Sequence, residues 1–278
     1  VPELPEVETI RRDIDQLFVG RRIEAVAATG QRSVRRHPDP AEFEERTRGR
    51  RLVSTRRRGK YILLDLDDSD VVVAHLGMSG QLLAVAGDAP TIKHTHVVLR
   101  FSGPLNLRFV DPRTFGQMFV SAGSATDERL PELAHLGFDP LDERVDPKGL
   151  ARLLAPRRVR LKPLLMDQRF VAGIGNMYAD EILFAARLRS DRIASELSTA
   201  EVRRLRAAMA DTLGAAIQHR GSSLADEQYR DLFGAVGQYQ HLHQVYDREG
   251  LPCSRCPGTI VRVKYGGRSS FFCPRCQR

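Results

Sequence analysis

The chain has 278 residues, 42% of them hydrophobic and 28% charged, enough for about two domains that each bury a core. No stretch approaches the roughly 20 apolar residues of a membrane span, and the mean hydropathy is −0.32. The net charge of +8 is clustered. Residues 31–60 carry eleven Lys/Arg against four acids, and residues 251–278 carry six against none, which favours a polyanion such as nucleic acid over a uniformly solvated surface.

The first segment, Val1-Pro2-Glu3-Leu4-Pro5-Glu6, is acidic and proline-rich, unlike a secretory or transit signal, so a cytoplasmic location is expected. Pro5 suits a helix start, and Val7, Ile10, Ile14 and Leu17 follow at helical spacing up to Gly20. From there to about Val120 the pattern is strand-like. Tyr61–Leu66, Val71–Leu76, His96–Phe101, Leu105–Val110 and Gln117–Val120 are short β-branched or alternating runs between turn residues, which suggests a β-sandwich. A linker follows near 131–146. Residues 147–244 read as helical, over Lys148–Leu154, Pro163–Met166, Met177–Ala186 and Thr199–Gln218, with a glycine-dotted functional loop at 221–243.

All four cysteines fall in the last segment, 245–278, as Cys253-x2-Cys256 and Cys273-x2-Cys276. Two such knuckles form the four-thiolate tetrahedron of structural zinc, with no open position for catalysis. Two disulfides are the alternative, disfavoured for a basic chain without a secretion signal. Between the knuckles, Thr259–Lys264, the turn at Gly266-Gly267 and Ser269–Phe272 read as a β-ribbon with Arg268 at its tip, either a groove-entering side chain or an ordinary turn arginine. The fold class expected is therefore multidomain α+β: a β-sandwich domain over 1–130 with an N-terminal helix, a helical domain over 147–244 and a zinc ribbon.

Several motifs occur in order: Pro2-Glu3-Leu4-Pro5-Glu6-Val7-Glu8, Lys60, His75-Leu76-Gly77-Met78-Ser79-Gly80, Asp111-Pro112-Arg113-Thr114-Phe115-Gly116, Gly173-Ile174-Gly175-Asn176 and the cysteine pairs. With them the whole chain resembles the bacterial formamidopyrimidine-DNA glycosylases. The resemblance implies a β-sandwich, a helix–two-turn–helix domain and a zinc finger. It also implies removal of oxidised purines from duplex DNA followed by strand nicking, in a monomer associated with the bacterial nucleoid. One structural Zn²⁺ and no nucleotide cofactor are expected.

The chemistry follows from the residue types. The secondary amine of an N-terminal proline has an unperturbed pKa near 8, so part of it is neutral at pH 7. It can attack the sugar C1′ and leave a cationic iminium that acidifies the C2′ proton. The resemblance gives that role to Pro2 and makes Glu3 the general acid that opens the sugar; Glu6, one helical turn later, can reach the same region and orients the terminus. Pro2 can act only if Val1 has been removed, because an amide nitrogen is not nucleophilic; removal is the expectation. Lys60 and Arg268 match phosphate contacts that assist β- and δ-elimination. Met78, Arg113 and Phe115 match the side chains that fill the space left by a flipped nucleotide. His94, Arg157, Lys162 and Asn176 match further DNA contacts, Asn176 at a helix N-terminus where backbone N–H groups favour phosphate. His75, at a strand end, reads as a satisfied internal histidine. Residues 226–237 depart from the usual family pattern, which bears on lesion preference. Two rival readings are an endonuclease VIII-type enzyme for oxidised pyrimidines, which typically has glycine where Leu4 stands, and a non-catalytic zinc-ribbon DNA binder if Val1 is retained.

Overall fold

The computed structural model describes residues 2–122, 130–141, 144–224, 228–265 and 267–278. Val1, the first two residues of the 226–237 stretch and Gly266 of the ribbon turn lie outside the described residues. The chain divides into two compact units, one formed by residues 1–134 and 219–240, the other by 135–218 and 241–278. Residues 219–240, which the sequence groups with the helical segment, thus belong to the first unit. Among the described residues no helix is long and apolar enough to cross a membrane.

The first unit opens with α1, Leu4–Phe18, whose Val7, Ile10, Ile14 and Phe18 are at most 1% exposed. Burial of each such side chain stabilises by roughly 1.5–3 kcal/mol, and their spacing makes the helix face the sheets. Then come β1 (Ile23–Ala28), α2 (Pro40–Thr47), β2 (Leu52–Arg58), β3 (Tyr61–Leu66), β4 (Val71–His75), β5 (Gln81–Ala86), β6 (Thr95–Phe101), β7 (Leu105–Val110), β8 (Gln117–Ser121) and the short α3 (Pro131–Ala134). The strands form two four-stranded antiparallel sheets, β1-β6-β7-β5 and β2-β3-β4-β8. One core joins Val26, Leu82, Leu99 and Phe109 of the first sheet with Ile62, Leu64, Val72 and Met118 of the second, as a sandwich requires. Tyr229 and Leu232 of the 219–240 segment enter the same core.

Five elements of this unit are not distinguished in the sequence, α3 among them, which falls where the sequence reads as a linker. Strand β2 is arginine-rich because its outer face is polar, while Leu52 and Thr55 point inward. Helix α2 interrupts the strand-like stretch. Asp39 caps it by accepting from the Ala41 N–H, and Pro40 occupies its first position. Strands β1 and β5 are short and rich in alanine, which masks the alternation.

The second unit contains α4 (Pro147–Leu154), α5 (Leu161–Met166), α6 (Asn176–Ala186), a 3₁₀ turn at Ala194–Glu196 and α7 (Thr199–Gln218), then the ribbon strands β9 (Val261–Tyr265) and β10 (Arg268–Phe272). The ribbon is not isolated from the helices. Phe184 of α6 shares a core with Val245, Ile260, Phe271 and the buried cysteines.

Candidate active site and nucleic-acid interface

The residues expected to act on a substrate fall into both units. In the first, Glu3 is the N-cap of α1 and forms a reciprocal capping box with Glu6. Glu3 donates its backbone N–H to Glu6 Oε2 at 2.9 Å, while Glu6 Oε1 accepts the Ser222 N–H at 2.8 Å. Both carboxylates are nearly fully buried, and Pro2 is buried beside them. Glu6 therefore spans the start of α1 and the base of the 219–240 segment. Gly221 makes this approach possible: its φ is +76°, and a Cβ there would stand 2.7 Å from the Glu6 carboxylate. The same segment is held by Arg220, which ion-pairs with Asp13 of α1 and with Asp231.

Lys60 lies in the β2–β3 turn after Gly59, whose φ is +57°. That hairpin is tied to α1 by Arg57, 7% exposed at its side chain, which donates to Glu8 at 3.1 Å. His75, at the end of β4, stacks on Tyr61 with ring centroids 4.6 Å apart and accepts the Gly77 N–H through Nδ1. Burial lowers its pKa to about 4, helped by the charges of Lys60 and Arg35, so this histidine is neutral at pH 7.

Two neighbouring turns carry the expected space-filling side chains. Met78 is 39% exposed and Phe115 45%, and the Arg113 guanidinium lies 5.0 Å from the Phe115 ring centre. Large apolar groups held out in water on tight turns, instead of packed in the core, are suited to contact another molecule. The backbones of the turns touch: a Cβ on Gly77 would meet the Gly116 nitrogen at 2.5 Å. His94 is exposed at a corner with φ +65°.

In the second unit, Asn176 opens α6 with Gly175 as N-cap. Its Oδ1 is buried without a hydrogen-bond partner among the described residues. The preceding loop is braced by Gln168, which the sequence did not flag. Its Oε1 accepts the Gly173 N–H at 2.8 Å, and its Nε2 donates to the Ile174 carbonyl at 2.7 Å. Arg157 is exposed and stands 5.9 Å from the Phe170 ring. Arg268 is exposed at the start of β10, opposite Tyr265 in the ribbon register.

Lys162 is placed otherwise than a phosphate contact requires. It is 4% exposed, and its ammonium donates to Asp180 at 2.8 Å and to the Ser269 carbonyl at 2.6 Å. Asp180 also accepts the Ser270 hydroxyl and the Phe271 N–H, so the pair pins α5 and α6 to the ribbon strand β10. Burial raises the Asp180 pKa to about 6, against the Lys162 charge and these hydrogen bonds. Next to it, Glu181 accepts the N–H groups of Gln244, Val245 and Tyr246, and burial again raises its pKa.

The four cysteine sulfurs all lie within 4.8 Å of one another, Cys253 and Cys276 at 3.8 Å and Cys256 and Cys273 at 3.5 Å. Tetrahedral zinc with bonds of about 2.3 Å places its thiolates about 3.8 Å apart, so this quartet fits the ion, whereas disulfides would join the sulfurs in two pairs. With four thiolates the coordination is closed.

Three family models match in succession: the formamidopyrimidine-DNA glycosylase N-terminal domain over residues 1–118, the H2TH domain of the same enzymes over 136–228, and the zinc finger found in FPG and IleRS over 250–278. Among curated proteins, the formamidopyrimidine-DNA glycosylase of Methylococcus capsulatus is 45% identical, covering the full length of both chains. That of Pelotomaculum thermopropionicum is 41% identical over all of this chain and 99% of its own. Among solved structures, the MutM (FPG) protein of Thermus thermophilus aligns with a TM-score of 0.86 and 40% identity, covering 99% of this chain and 98% of that one. A Lactococcus lactis FPG mutant in complex with Fapy-dG-containing DNA aligns over the whole of both chains, with a TM-score of 0.89 and 33% identity.

Proposed function

The chain belongs to the formamidopyrimidine-DNA glycosylase family, and from that premise we propose that it is a base-excision repair enzyme that removes oxidised purines from duplex DNA and then cleaves the abasic strand. The observation that carries the reading is the buried cluster of Pro2, Glu3 and Glu6 at the start of α1, in the same unit as the exposed Met78, Arg113 and Phe115.

Pro2, as an unacylated secondary amine, attacks C1′ of the damaged nucleoside. The C1′–N bond to the base breaks and its electron pair leaves with the base, which takes up a proton. Glu3 gives its proton to the deoxyribose ring oxygen as the ring opens, and the nitrogen lone pair forms the iminium. That cation accepts the electrons released when the C2′ proton is withdrawn, and the 3′ phosphate leaves; a second elimination expels the 5′ phosphate. Glu6 holds the Glu3 amide and Ser222 in place while these bonds change.

A base stacked in a duplex is out of reach of this amine, so the nucleotide is extruded. Met78 and Phe115 occupy the resulting gap, and Arg113 hydrogen-bonds the base left without its partner. Lys60, His94, Arg157, Asn176 and Arg268 contact phosphates, which orients the strand without reading its sequence. The four cysteines bind one structural zinc that keeps the Arg268 ribbon folded. The curated relatives are bacterial, and we place the enzyme as a monomer on DNA in the bacterial cytoplasm.

The test is borohydride trapping on duplexes carrying 8-oxoguanine or an oxidised pyrimidine, using protein whose N-terminal residue is verified as proline by mass analysis. Wild type should form an adduct with the purine lesion. Pro2→Gly should lose most excision while binding DNA normally. Adduct only with the pyrimidine would favour the endonuclease VIII-type reading, and unchanged nicking by Pro2→Gly would overturn the nucleophile.

A further inference from the structure

The turn carrying Met78 and the turn carrying Arg113 and Phe115 join different strand pairs, yet one side chain serves both. Asp111 is fully buried. Its Oδ1 accepts the Ser79 hydroxyl at 2.6 Å, reaching the residue beside Met78, and also the Arg113 N–H at 3.2 Å. Its Oδ2 accepts the Gly116 N–H at 2.7 Å, closing the turn around Phe115. The backbone of the same residue ties in a third segment. The Asp111 N–H donates to the His94 carbonyl at 3.0 Å, and the Asp111 carbonyl meets His96 Nε2 at 2.9 Å. From the outer side, Arg35 donates to the Gly116 carbonyl at 2.9 Å.

From this convergence we infer that Asp111 is a positioning residue for the excision reaction, holding Met78, Arg113 and Phe115 in one rigid constellation so that they enter the duplex together. The inference rests on the reading of those three side chains as the fillers of the vacated space. All three side chains are exposed, so their relative placement rests on the backbones of the two turns. A buried carboxylate that accepts one hydroxyl and two amides is a stiff connector, because charge-assisted hydrogen bonds in low dielectric are short and strong. Stiffness matters for the rate: a constellation that must be assembled during extrusion spends ordering entropy at the transition state, whereas one already assembled does not. Asp111 touches neither substrate nor reacting atoms in this scheme. Its effect passes through the turns.

Two substitutions probe the connector at different depths. Ser79→Ala removes the link between the turns and leaves the Asp111 turn whole. Asp111→Asn keeps the shape but places an NH₂ where an oxygen accepted. Turned toward Gly116 it opposes that N–H, and turned toward Ser79 and Arg113 it opposes the Arg113 N–H. Lesion excision from duplex should slow by about tenfold for Ser79→Ala and by more for Asp111→Asn, in kcat rather than KM. Fluorescence of 2-aminopurine placed opposite the lesion, which reports filling of the gap, should rise more slowly in both. Adding Ser79→Ala to Asp111→Asn should cost little more, since one connector is already broken. Cleavage of a pre-formed abasic site in a single-stranded oligonucleotide has no gap to fill, so it should stay within about twofold of wild type by the same argument.

Duplex excision and 2-aminopurine kinetics at wild-type values in both variants would overturn the inference. So would equal losses on duplex and single-stranded substrates, which mark a general structural defect. Met78→Ala and Phe115→Ala serve as controls. If they slow gap filling while Ser79→Ala and Asp111→Asn do not, the connector alone is refuted; if they too are without effect, the gap-filling reading falls and the inference with it.

Discussion

Lys162→Met separates two roles for a lysine that the sequence suggests as a DNA contact and the structure buries. Removing one partner of a buried ion pair costs about 3–5 kcal/mol when the other must stay charged. Asp180 escapes that limit by taking up a proton. Its pKa in the folded protein is about 6 with Lys162 present, above the ordinary carboxyl value of 3.8, and loss of the ammonium moves it higher. At pH 7 the wild-type carboxylate is about one unit above its pKa, so conversion to the protonated form costs only about 1–2 kcal/mol, at roughly 1.4 kcal/mol per unit. The lost bond to the Ser269 carbonyl adds about 1 kcal/mol. The total is about 2–3 kcal/mol, or a fall of roughly 5–10 °C in melting temperature for a unit of this size.

The pH dependence carries a definite sign. A carboxyl whose folded pKa is raised stabilises the fold fully below its unfolded pKa near 4, and that contribution fades as pH rises to about 6. At pH 5 wild-type Asp180 is already mostly protonated, so the variant should differ from wild type by only about 1 kcal/mol, and the gap should open between pH 5 and 7. Thermal unfolding across that range measures this, and DNA binding titrated against salt supplies the contrast. A phosphate-bound lysine contributes about 0.9 to the slope of log affinity against log salt; a buried one contributes nothing directly. Unchanged stability together with a slope smaller by about one would refute the buried role and return Lys162 to the DNA surface.

Two further outcomes follow from the same geometry. Arg220→Ala strips Asp13 and Asp231 of their shared cation and should cost about 2 kcal/mol, less than a fully buried pair because the arginine side chain is 37% exposed; hydrogen exchange at Ser222 and Gly237 should quicken, and unchanged exchange would contradict anchoring of the segment by this triad. Chelation of zinc, or Cys253→Ser, should release one metal ion per chain and weaken DNA binding by loosening the Arg268 ribbon; full affinity with the metal gone would break the link between ribbon and binding.

What could be read from the sequence was what repeats locally. The α1 stripe, the runs that became β3, β4, β6, β7 and β8, and the paired cysteines each announce themselves within a few residues. Strand β2 did not, because Arg56, Arg57 and Arg58 look like a charge run until Asp65 on β3 and Glu8 on α1 pair with two of them. The chemistry-bearing side chains were similarly legible as types and illegible as partners. Ser222 is 216 residues from the Glu6 that binds it, and the Ser269 carbonyl is 107 residues from Lys162. Lys162 follows Arg157, Arg158 and Arg160 in sequence, and nothing local distinguishes the one cation turned inward. Gln168 was missed for the same reason: an amide bracing a glycine turn leaves no periodic trace.

These failures share a direction that bears on binding. Acids turned inward make several of the long-range contacts: Glu3, Glu6, Glu8, Asp13, Asp111, Asp180, Glu181 and Asp231 are all buried, as are Arg108, Lys162 and the side chain of Arg57. Several of these acids are neutralised where they sit, Glu8 by Arg11, Arg12 and Arg57, and Asp13 and Asp231 by Arg220, so they do not stand as exposed negative charge before a polyanion. A buried acid here does two things at once. It holds a turn, a cap or a ribbon by accepting backbone N–H groups, and it is absent from a surface where it would repel phosphate. The acids that matter most to the site are therefore those a reading of surface charge would set aside.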